Sequence, residues 1–379
     1  MPAVARDRGA RTQPTAFALC CCSRLMRSVP ARGGQMMVAR AACGLLLAAC
    51  GGVGDPVPPP TSPIGALPTG YTAYVTGTPN ATASPAGGVY LAGGGADDAV
   101  GMAWLLAQGG VAGTTRGGQP YFGDVVVLRT SGSDGYNSFL ERLGANSVAT
   151  YVITSTEGAN SDSVAAAIAR AEVLFLAGGD QSTYVNRWSG TRLQRAVNTR
   201  VAQGYPIGGT SAGLSVLARH IYSAQLASTT SDVALANPYD RSITFAKDLF
   251  DVPLLANVIA EPHFVTRDRM GRFYTFLARL QADDGARAPR GLAIDEGSAV
   301  GLAANHRATV FGAGGGAYLL TPPSSPGGTL SAPLTYHAMT VARVPIGGTF
   351  DAASWTAPGP VYSVTARAGI LTSSNGVMY

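Results

Sequence analysis

The sequence predicts an α/β fold that is built around a mostly parallel sheet. From Gly88 to about residue 220, short apolar runs alternate with helical stretches, which is the order expected of βαβ units. One of these runs, Val125–Leu128, is apolar without interruption, as in strands that helices cover on both faces. The chain has 379 residues, which is long enough to bury such a core without disulfides or a structural metal.

The predicted elements follow one another closely. Each apolar run is read as a strand, each longer segment after it as a helix, and Ser161 suits the N-cap of one helix. The strands are predicted over 89–92, 125–128, 148–153, 173–176 and 206–208, and the helices over 97–108, 137–143, 161–171, 183–203 and from Ser211 to about His220. From about residue 330, Thr, Val, Tyr and Gly mix with turn residues, which predicts added β structure. We therefore expect an α/β domain over 69–325 and a β-rich extension over 326–379.

The charge distribution argues against nucleic-acid binding. The formal net charge is +5, but residues 1–49 hold seven arginines and one aspartate, which is +6 and leaves −1 for the rest. A nearly neutral body has no general attraction to a phosphate backbone.

The N-terminal region resembles the export signal of a bacterial lipoprotein. An apolar stretch, 41–49, follows Arg40 and ends in Leu47-Ala48-Ala49-Cys50, which is similar to a lipobox. We expect an over-extended start or leader over 1–35, a signal peptide over 36–49, lipid attachment at Cys50 and a Pro-rich tether over 50–68. An ordinary signal peptide with an incidental cysteine is the alternative. The expected location is a bacterial membrane, outside the cytoplasm, in the periplasm or on the cell surface, with release from the cell as the alternative.

The segment Gly209-Thr210-Ser211-Ala212-Gly213 fits the pattern G-x-S-x-G between a predicted strand and a predicted helix. Such glycines allow a sharp turn that exposes a serine nucleophile, and the backbone N–H of Ala212 would face a developing oxyanion. Gly179, in the turn Gly178-Gly179-Asp180, could supply a second backbone donor. A plain tight turn remains the alternative reading of the pattern.

A serine nucleophile needs a base, and the chain has four histidines. His220 is nine residues from Ser211, too far along one helix, and we interpret it as a helix-end histidine. His306 and His337 fall in loop-like or peripheral segments. His263 precedes Arg267, Arg269 and Arg272, which suits an anionic ligand, although a solvated helix start is the alternative. The two glycine-rich turns of the chain, Gly93-Gly94-Gly95 and Gly178-Gly179-Asp180, both lack a full G-x-G-x-x-G. We therefore expect no nucleotide cofactor.

Four motifs in order resemble the cyanophycinase family of serine peptidases, which includes dipeptidase E. They are Phe175-Leu176-Ala177-Gly178-Gly179-Asp180-Gln181, the G-x-S-x-G segment, His263-Phe264 with its three arginines, and Gly291-Leu292-Ala293-Ile294-Asp295-Glu296. The resemblance covers about residues 88–320. It implies a fold that is flavodoxin-like, or class I glutamine amidotransferase-like, with helices on both faces of the sheet, and it implies a homodimer.

The resemblance also implies the roles of individual residues. Ser211 would be the nucleophile, His263 the general base and Glu296 the acid that orients it. The backbone near Gly179, Asp180 and Ala212 would bind the oxyanion. Gln181 would line the substrate pocket, and Arg267, Arg269 and Arg272 would hold substrate carboxylates. The mechanism requires no metal. We expect the three triad side chains to converge over the C-terminal rim of a single sheet.

Two departures leave the substrate open. Glu261-Pro262 precede His263 where cyanophycinases usually carry Asp-Gln, so Glu261 would change the pocket wall, and Ala96 follows Gly93-Gly94-Gly95 where relatives often have Glu. The leading hypothesis is a secreted, lipid-anchored serine exopeptidase that releases β-Asp-Arg dipeptides from cyanophycin or cleaves related aspartyl peptides. The alternatives are an aspartyl dipeptidase and a catalytically inactive peptide-binding lipoprotein.

Overall fold

The computed structural model describes residues 70–80, 84–110, 115–116, 119–283, 289–324 and 330–379. All of them lie in one compact unit, Pro59–Tyr379. The predicted leader, signal peptide, lipid-attachment site at Cys50 and tether lie outside the described residues. Among the helices that are described, none is both long enough and apolar enough to cross a bilayer.

The strands that are described extend along the whole unit. In chain order they are β1 (Tyr71–Gly77), β2 (Val89–Ala92), β3 (Thr115–Arg116), β4 (Gln119–Pro120), β5 (Phe122–Arg129), β6 (Ala145–Ile153), β7 (Val173–Leu176), β8 (Ile207–Thr210), β9 (His220–Tyr222), β10 (Phe245–Lys247), β11 (Val258–Glu261), β12 (Arg290–Ile294), β13 (Ser298–Leu302), β14 (Arg307–Gly312), β15 (Ala317–Thr321), β16 (Tyr336–Val344), β17 (Thr349–Asp351), β18 (Val361–Arg367) and β19 (Ile370–Ser373).

The helices lie mainly in the first two thirds of the unit. In chain order they are α1 (Ala99–Ala107), α2 (Asn137–Arg142), α3 (Thr156–Ala159), α4 (Asp162–Arg170), α5 (Gln181–Trp188), α6 (Arg192–Ala202), α7 (Ala212–Leu217), α8 (Ser231–Ala236) and α9 (Met270–Asp283), with a short 3₁₀ turn at Pro253–Leu255.

The larger sheet has the strand order β1-β6-β5-β7-β8-β2-β13-β14-β17 among the described residues. Its five central strands, from β6 to β2, are all parallel, and the flanking strands pair antiparallel. Separate apolar clusters contain alternate residues of β5, with Val126 and Leu128 in one and Val125 and Val127 in the other, as predicted for a strand that is covered on both faces.

The second sheet has the order β10-β9-β11-β12-β15-β16-β18-β19. Its β9, β11 and β12 are parallel, and its remaining pairs are antiparallel. The strands after residue 330 belong mostly to this sheet, so the predicted β-rich C-terminal region is confirmed. The fold is α/β and flavodoxin-like, with that region added. The predicted domain boundary at residue 326 stays a prediction.

Two helix predictions were wrong. The single helix predicted over 183–203 is two helices, because Gly190 takes a φ of 73° and the Thr191 side chain caps α6 by accepting the N–H of Gln194. The helix after Ser211 ends at Leu217, and His220 is not a helix-end residue but the first residue of β9. Pairing of β9 with β10 and β11 overrides the local helical pattern there.

Candidate active site

Ser211 occupies the sharp turn between β8 and α7. Its backbone is in a positive-φ conformation, with φ 52° and ψ −116°, which is unfavourable for a non-glycine residue and is often found at functional sites. The two glycines of the pattern permit the turn. A β-carbon on Gly209 would lie 2.5 Å from the carbonyl carbon of Gly213, and one on Gly213 would lie 2.2 Å from the Leu176 oxygen. The G-x-S-x-G spacing is therefore a steric requirement of this turn.

The three side chains of the predicted triad form one line of hydrogen bonds. Ser211 Oγ lies 2.7 Å from His263 Nε2, and His263 Nδ1 lies 2.6 Å from Glu296 Oε1. This is the geometry in which an imidazole can remove a proton from a hydroxyl while a carboxylate orients the ring.

The expectation that the three residues converge over a single sheet was wrong. Ser211 follows β8 of the larger sheet, whereas His263 follows β11 and Glu296 follows β12, both in the second sheet. The two sheets meet here because only residues 295–297 separate β12 from β13, which returns to the larger sheet beside β2. The site therefore lies at the junction between the sheets.

Backbone contacts on two sides hold His263 in place. His263 itself has a φ of 51°, and its N–H donates to the Gly93 carbonyl over 2.8 Å. The buried Asp295 carboxylate accepts the N–H groups of Val265 and Thr266 through Oδ1, at 3.0 and 2.8 Å. Neither Asp295 nor the turn Gly93-Gly94-Gly95 was assigned to this role from the sequence, although both were visible as parts of motifs.

Gly94 lies against the imidazole ring of His263. A β-carbon added at Gly94 would lie only 2.1 Å from His263 Cε1. We expect Gly94→Ala to displace the ring and lower kcat by about a hundredfold while the fold persists. The measurement is steady-state peptidase activity together with circular dichroism. Gly190→Ala is the matched control, since Gly190 also has positive φ but meets nothing within 4 Å. Equal activity losses in both variants would contradict the steric explanation.

The electrostatics of the site favour a neutral imidazole. Burial, and then the positive charges of Arg267 and Arg269, lower the pKa of His263 below its ordinary value of about 6.5, against the opposing effect of Glu296. Burial would raise the pKa of Glu296, but hydrogen bonds and charges from His263 and Arg267 outweigh it and lower that pKa. At neutral pH the ring can thus accept a proton while the carboxylate stays ionised.

The predicted oxyanion segments lie beside Ser211. A β-carbon on Gly178 would lie 3.4 Å from Ser211 Cβ and 4.0 Å from its Oγ, so the turn before α5 passes close to the hydroxyl. The Asp180 side chain caps α5 by accepting the N–H of Ser182 over 2.9 Å. Ala212 is the first residue of α7. Residues 179–182 at the start of α5 and Ala212 at the start of α7 line the same cavity.

A cavity of about 480 Å³ opens over these groups. Its lining includes nearly all of the residues predicted for the site, namely Gly179, Asp180, Gln181, Ser211, Ala212, Glu261, His263, Arg267, Arg269 and Arg272. Residues 224–228 also line the cavity, and no sequence pattern predicted their contribution. Within the described part of the chain, no group of three or more His, Cys, Asp or Glu side chains is placed to hold a metal ion.

The three arginines differ in their surroundings. Arg269 and Arg272 both donate to Glu261 Oε1, and Arg272 also donates to the Thr229 carbonyl. Glu261 is only 1% exposed, so this is a buried ion cluster in the cavity wall. Arg267 instead has a side chain that is 52% exposed, and its Nε donates to Glu296 Oε1 over 3.1 Å. Arg267 is therefore the most exposed of the three arginines that line the cavity.

Comparison with known proteins finds similarity to a family of peptidases. The family model of Peptidase family S51 matches residues 134–310, a stretch that contains Ser211, His263 and Glu296. Two cyanophycinases, from Trichormus variabilis and from a Nostoc species, are each 30% identical over 144 residues, which is 38% of this chain and 45% of each relative.

These matches support a cyanophycinase- or dipeptidase E-like family for the chain. It spans less than half the length of the curated cyanophycinases that it matches. A crystal structure of a peptidase from an acI-B1 Actinobacterium is 16% identical, with a TM-score of 0.46, and the match covers 71% of this chain and 98% of that one. The segment that the family model matches includes β7 to β13, the elements that carry the candidate triad.

Proposed function

We propose that this protein is a serine peptidase that hydrolyses cyanophycin to β-Asp-Arg dipeptides, or cleaves related aspartyl peptides. The observation that carries the proposal is the line of hydrogen bonds from Ser211 through His263 to Glu296, at 2.7 and 2.6 Å. The similarity to cyanophycinases supports the substrate class.

In the proposed mechanism, His263 Nε2 takes the Ser211 proton as the oxygen attacks the substrate carbonyl. Glu296 holds the Nδ1–H and stabilises the imidazolium that forms. Backbone N–H groups near Gly179 and Ala212 stabilise the tetrahedral oxyanion. His263 then returns the proton to the leaving amine, and water hydrolyses the acyl-enzyme by the reverse sequence of proton transfers.

The charges of the cavity support an acidic substrate. Arg267 donates a hydrogen bond to Glu296, and its side chain is half exposed. It lines the same cavity as Ser211, so a substrate carboxylate could bind Arg267 in that cavity. Arg269 and Arg272 are largely buried and both donate to Glu261, so their guanidinium groups are less accessible to a ligand than that of Arg267. We propose Arg267 as the main carboxylate-binding group and Gln181 as a neighbouring polar contact in the same cavity.

The experiment that tests the proposal is incubation of residues 69–379 with insoluble cyanophycin and with a panel of aspartyl and isoaspartyl dipeptides. We expect release of β-Asp-Arg, identified by mass. Cleavage of dipeptides with the polymer left intact would indicate an aspartyl dipeptidase instead. If a fluorophosphonate fails to label the folded protein, the serine mechanism is wrong and a binding role is favoured.

The location remains a proposal that rests on the sequence. We propose export and lipid attachment at Cys50, which would place the peptidase outside the cytoplasm with access to external polymer. Metabolic labelling of the full chain with a fatty acid, compared with Cys50→Ala, tests the anchor. Unchanged labelling after the substitution would contradict it.

We expect Arg267→Gln to change the pH dependence of catalysis. The base must be neutral, so wild-type kcat/KM should decline as the pH falls through the pKa of His263, below about 6.5. Removing the Arg267 charge takes away one cause that lowers the His263 pKa, so the acid limb should move to higher pH. The KM for acidic peptides should also rise about tenfold.

The pH profile of kcat/KM checks this expectation, with Arg142→Gln as the control because Arg142 is exposed on α2. A variant profile that coincides with wild type, or that moves to lower pH, would show that Arg267 does not act on the base.

A further inference from the structure

Tyr379, after the last strand of the second sheet, lies against the turn that carries His263. Its hydroxyl accepts the N–H of Met270 over 3.0 Å and donates to Asp268 Oδ1 over 2.6 Å. Met270 is the first residue of α9, and the N–H groups in the first turn of a helix have no partner inside that helix. Tyr379 therefore caps α9 from 109 residues further along the chain.

The ring of Tyr379 fixes the same turn by packing. It meets Phe264 edge-on, with ring centroids 5.4 Å apart and an interplanar angle of 83°, and it meets Tyr318 at 6.2 Å and 87°. Phe264 directly follows His263 and is fully buried. Edge-to-face pairs of this kind have a preferred orientation, so the contact restricts both position and rotation of the turn.

The turn needs external support because its backbone is strained at two points. His263 has a φ of 51° and Asp268 a φ of 47°, both in the left-handed region that most residues avoid. Asp295 supports the middle of the turn through Val265 and Thr266. Tyr379 supports its two ends, through Phe264 beside His263 and through Asp268 and Met270 at the start of α9.

Tyr379 is itself held by the C-terminal region. Tyr362 in β18 donates its hydroxyl to the Met378 carbonyl over 2.9 Å, and β18 pairs with β16 and β19. The added β structure, whose role the sequence does not reveal, thus contacts the turn that carries His263 through Tyr379.

We infer that Tyr379 is a positioning residue for catalysis: it holds the turn 263–269 so that His263 and Arg267 keep their geometry relative to Ser211 and Glu296. This inference rests on the proposed function. It gives the C-terminal strands a part in the reaction, since they bring the tyrosine to the turn.

The test compares Tyr379→Phe with Tyr336→Phe. The first keeps the ring and removes the hydrogen bonds to Asp268 of the turn and to Met270 of α9. The second removes a buried tyrosine hydroxyl of β16 that contacts Gln281 of α9, whereas Tyr379 contacts the opposite end of that helix. Both losses should lower the unfolding temperature. Only Tyr379→Phe should reduce kcat and slow fluorophosphonate labelling of Ser211, each by about tenfold.

The labelling reagent separates this inference from the proposed function, because it needs an activated serine and no peptide substrate. If wild type is not labelled, the proposed function fails. If wild type is labelled and Tyr379→Phe reacts at the same rate, the positioning role alone is overturned. Equal slowing in Tyr336→Phe would also overturn it, since the effect would then be a general loss of stability.

Discussion

Replacing Ser211 with alanine is expected to reduce kcat by roughly 10⁴- to 10⁶-fold and to abolish covalent labelling by a fluorophosphonate. The variant loses the only atom that could attack the substrate in the proposed mechanism, while the turn itself is kept by Gly209 and Gly213. Alanine must still adopt the positive φ of this position, so we expect a small change in stability. The measurements are turnover of the preferred peptide, mass of the labelled protein and thermal unfolding.

Ser189→Ala is the control for this experiment. Ser189 lies at the end of α5, and its hydroxyl donates to the Val185 carbonyl, away from the cavity. The Ser189→Ala variant should react with the fluorophosphonate and hydrolyse peptide at the same rates as wild type. Retention of turnover in Ser211→Ala beyond trace levels would mean that another group carries the chemistry.

Replacing Glu261 with alanine should lower the free energy of unfolding by about 3–5 kcal/mol. The change leaves the guanidinium groups of Arg269 and Arg272 beside each other without their shared carboxylate, and both side chains are largely buried. The penalty arises from uncompensated buried charge more than from the lost contact. Urea unfolding at equilibrium, with kcat/KM measured on the folded fraction, gives the effect.

Glu141→Ala is the matched control, since Glu141 is exposed on α2 and its removal should change stability by no more than about 0.5 kcal/mol. Glu261→Gln should fall between the two, because the amide keeps an acceptor but loses the charge. A loss in Glu261→Ala no larger than in Glu141→Ala would show that the buried ion cluster contributes nothing to folding.

The parts of the fold that local sequence determines were predictable. The uninterrupted apolar run at 125–128 identified a strand covered on both faces, and the glycines around Ser211 identified the turn between β8 and α7. The break between α5 and α6 was missed because a single glycine, Gly190, is tolerated within a helical pattern unless tertiary structure fixes its φ. The division of strands between two sheets depends on pairing over long separations, which periodicity does not encode.

The candidate site shows the same distinction. Ser211 has a local signal, whereas His263 and Glu296 were selected through a resemblance, because nothing near them in sequence specifies that they meet. The pairing of Arg269 and Arg272 with Glu261 also escaped prediction. Three arginines after a histidine suggested an anion site, but which of them are neutralised depends on a carboxylate whose orientation only the fold determines.

The position of Ser211 on one sheet, and of His263 and Glu296 on the other, makes the seam between the sheets part of the reaction centre. A shift of one sheet relative to the other by about 1 Å would separate the Ser211 hydroxyl from the His263 imidazole without breaking any strand pair within either sheet. We therefore expect substitutions to be tolerated in the outer strands, such as β1 and β19. Substitutions at Asp295-Glu296-Gly297 should be tolerated less, because there the protein chain passes from one sheet to the other.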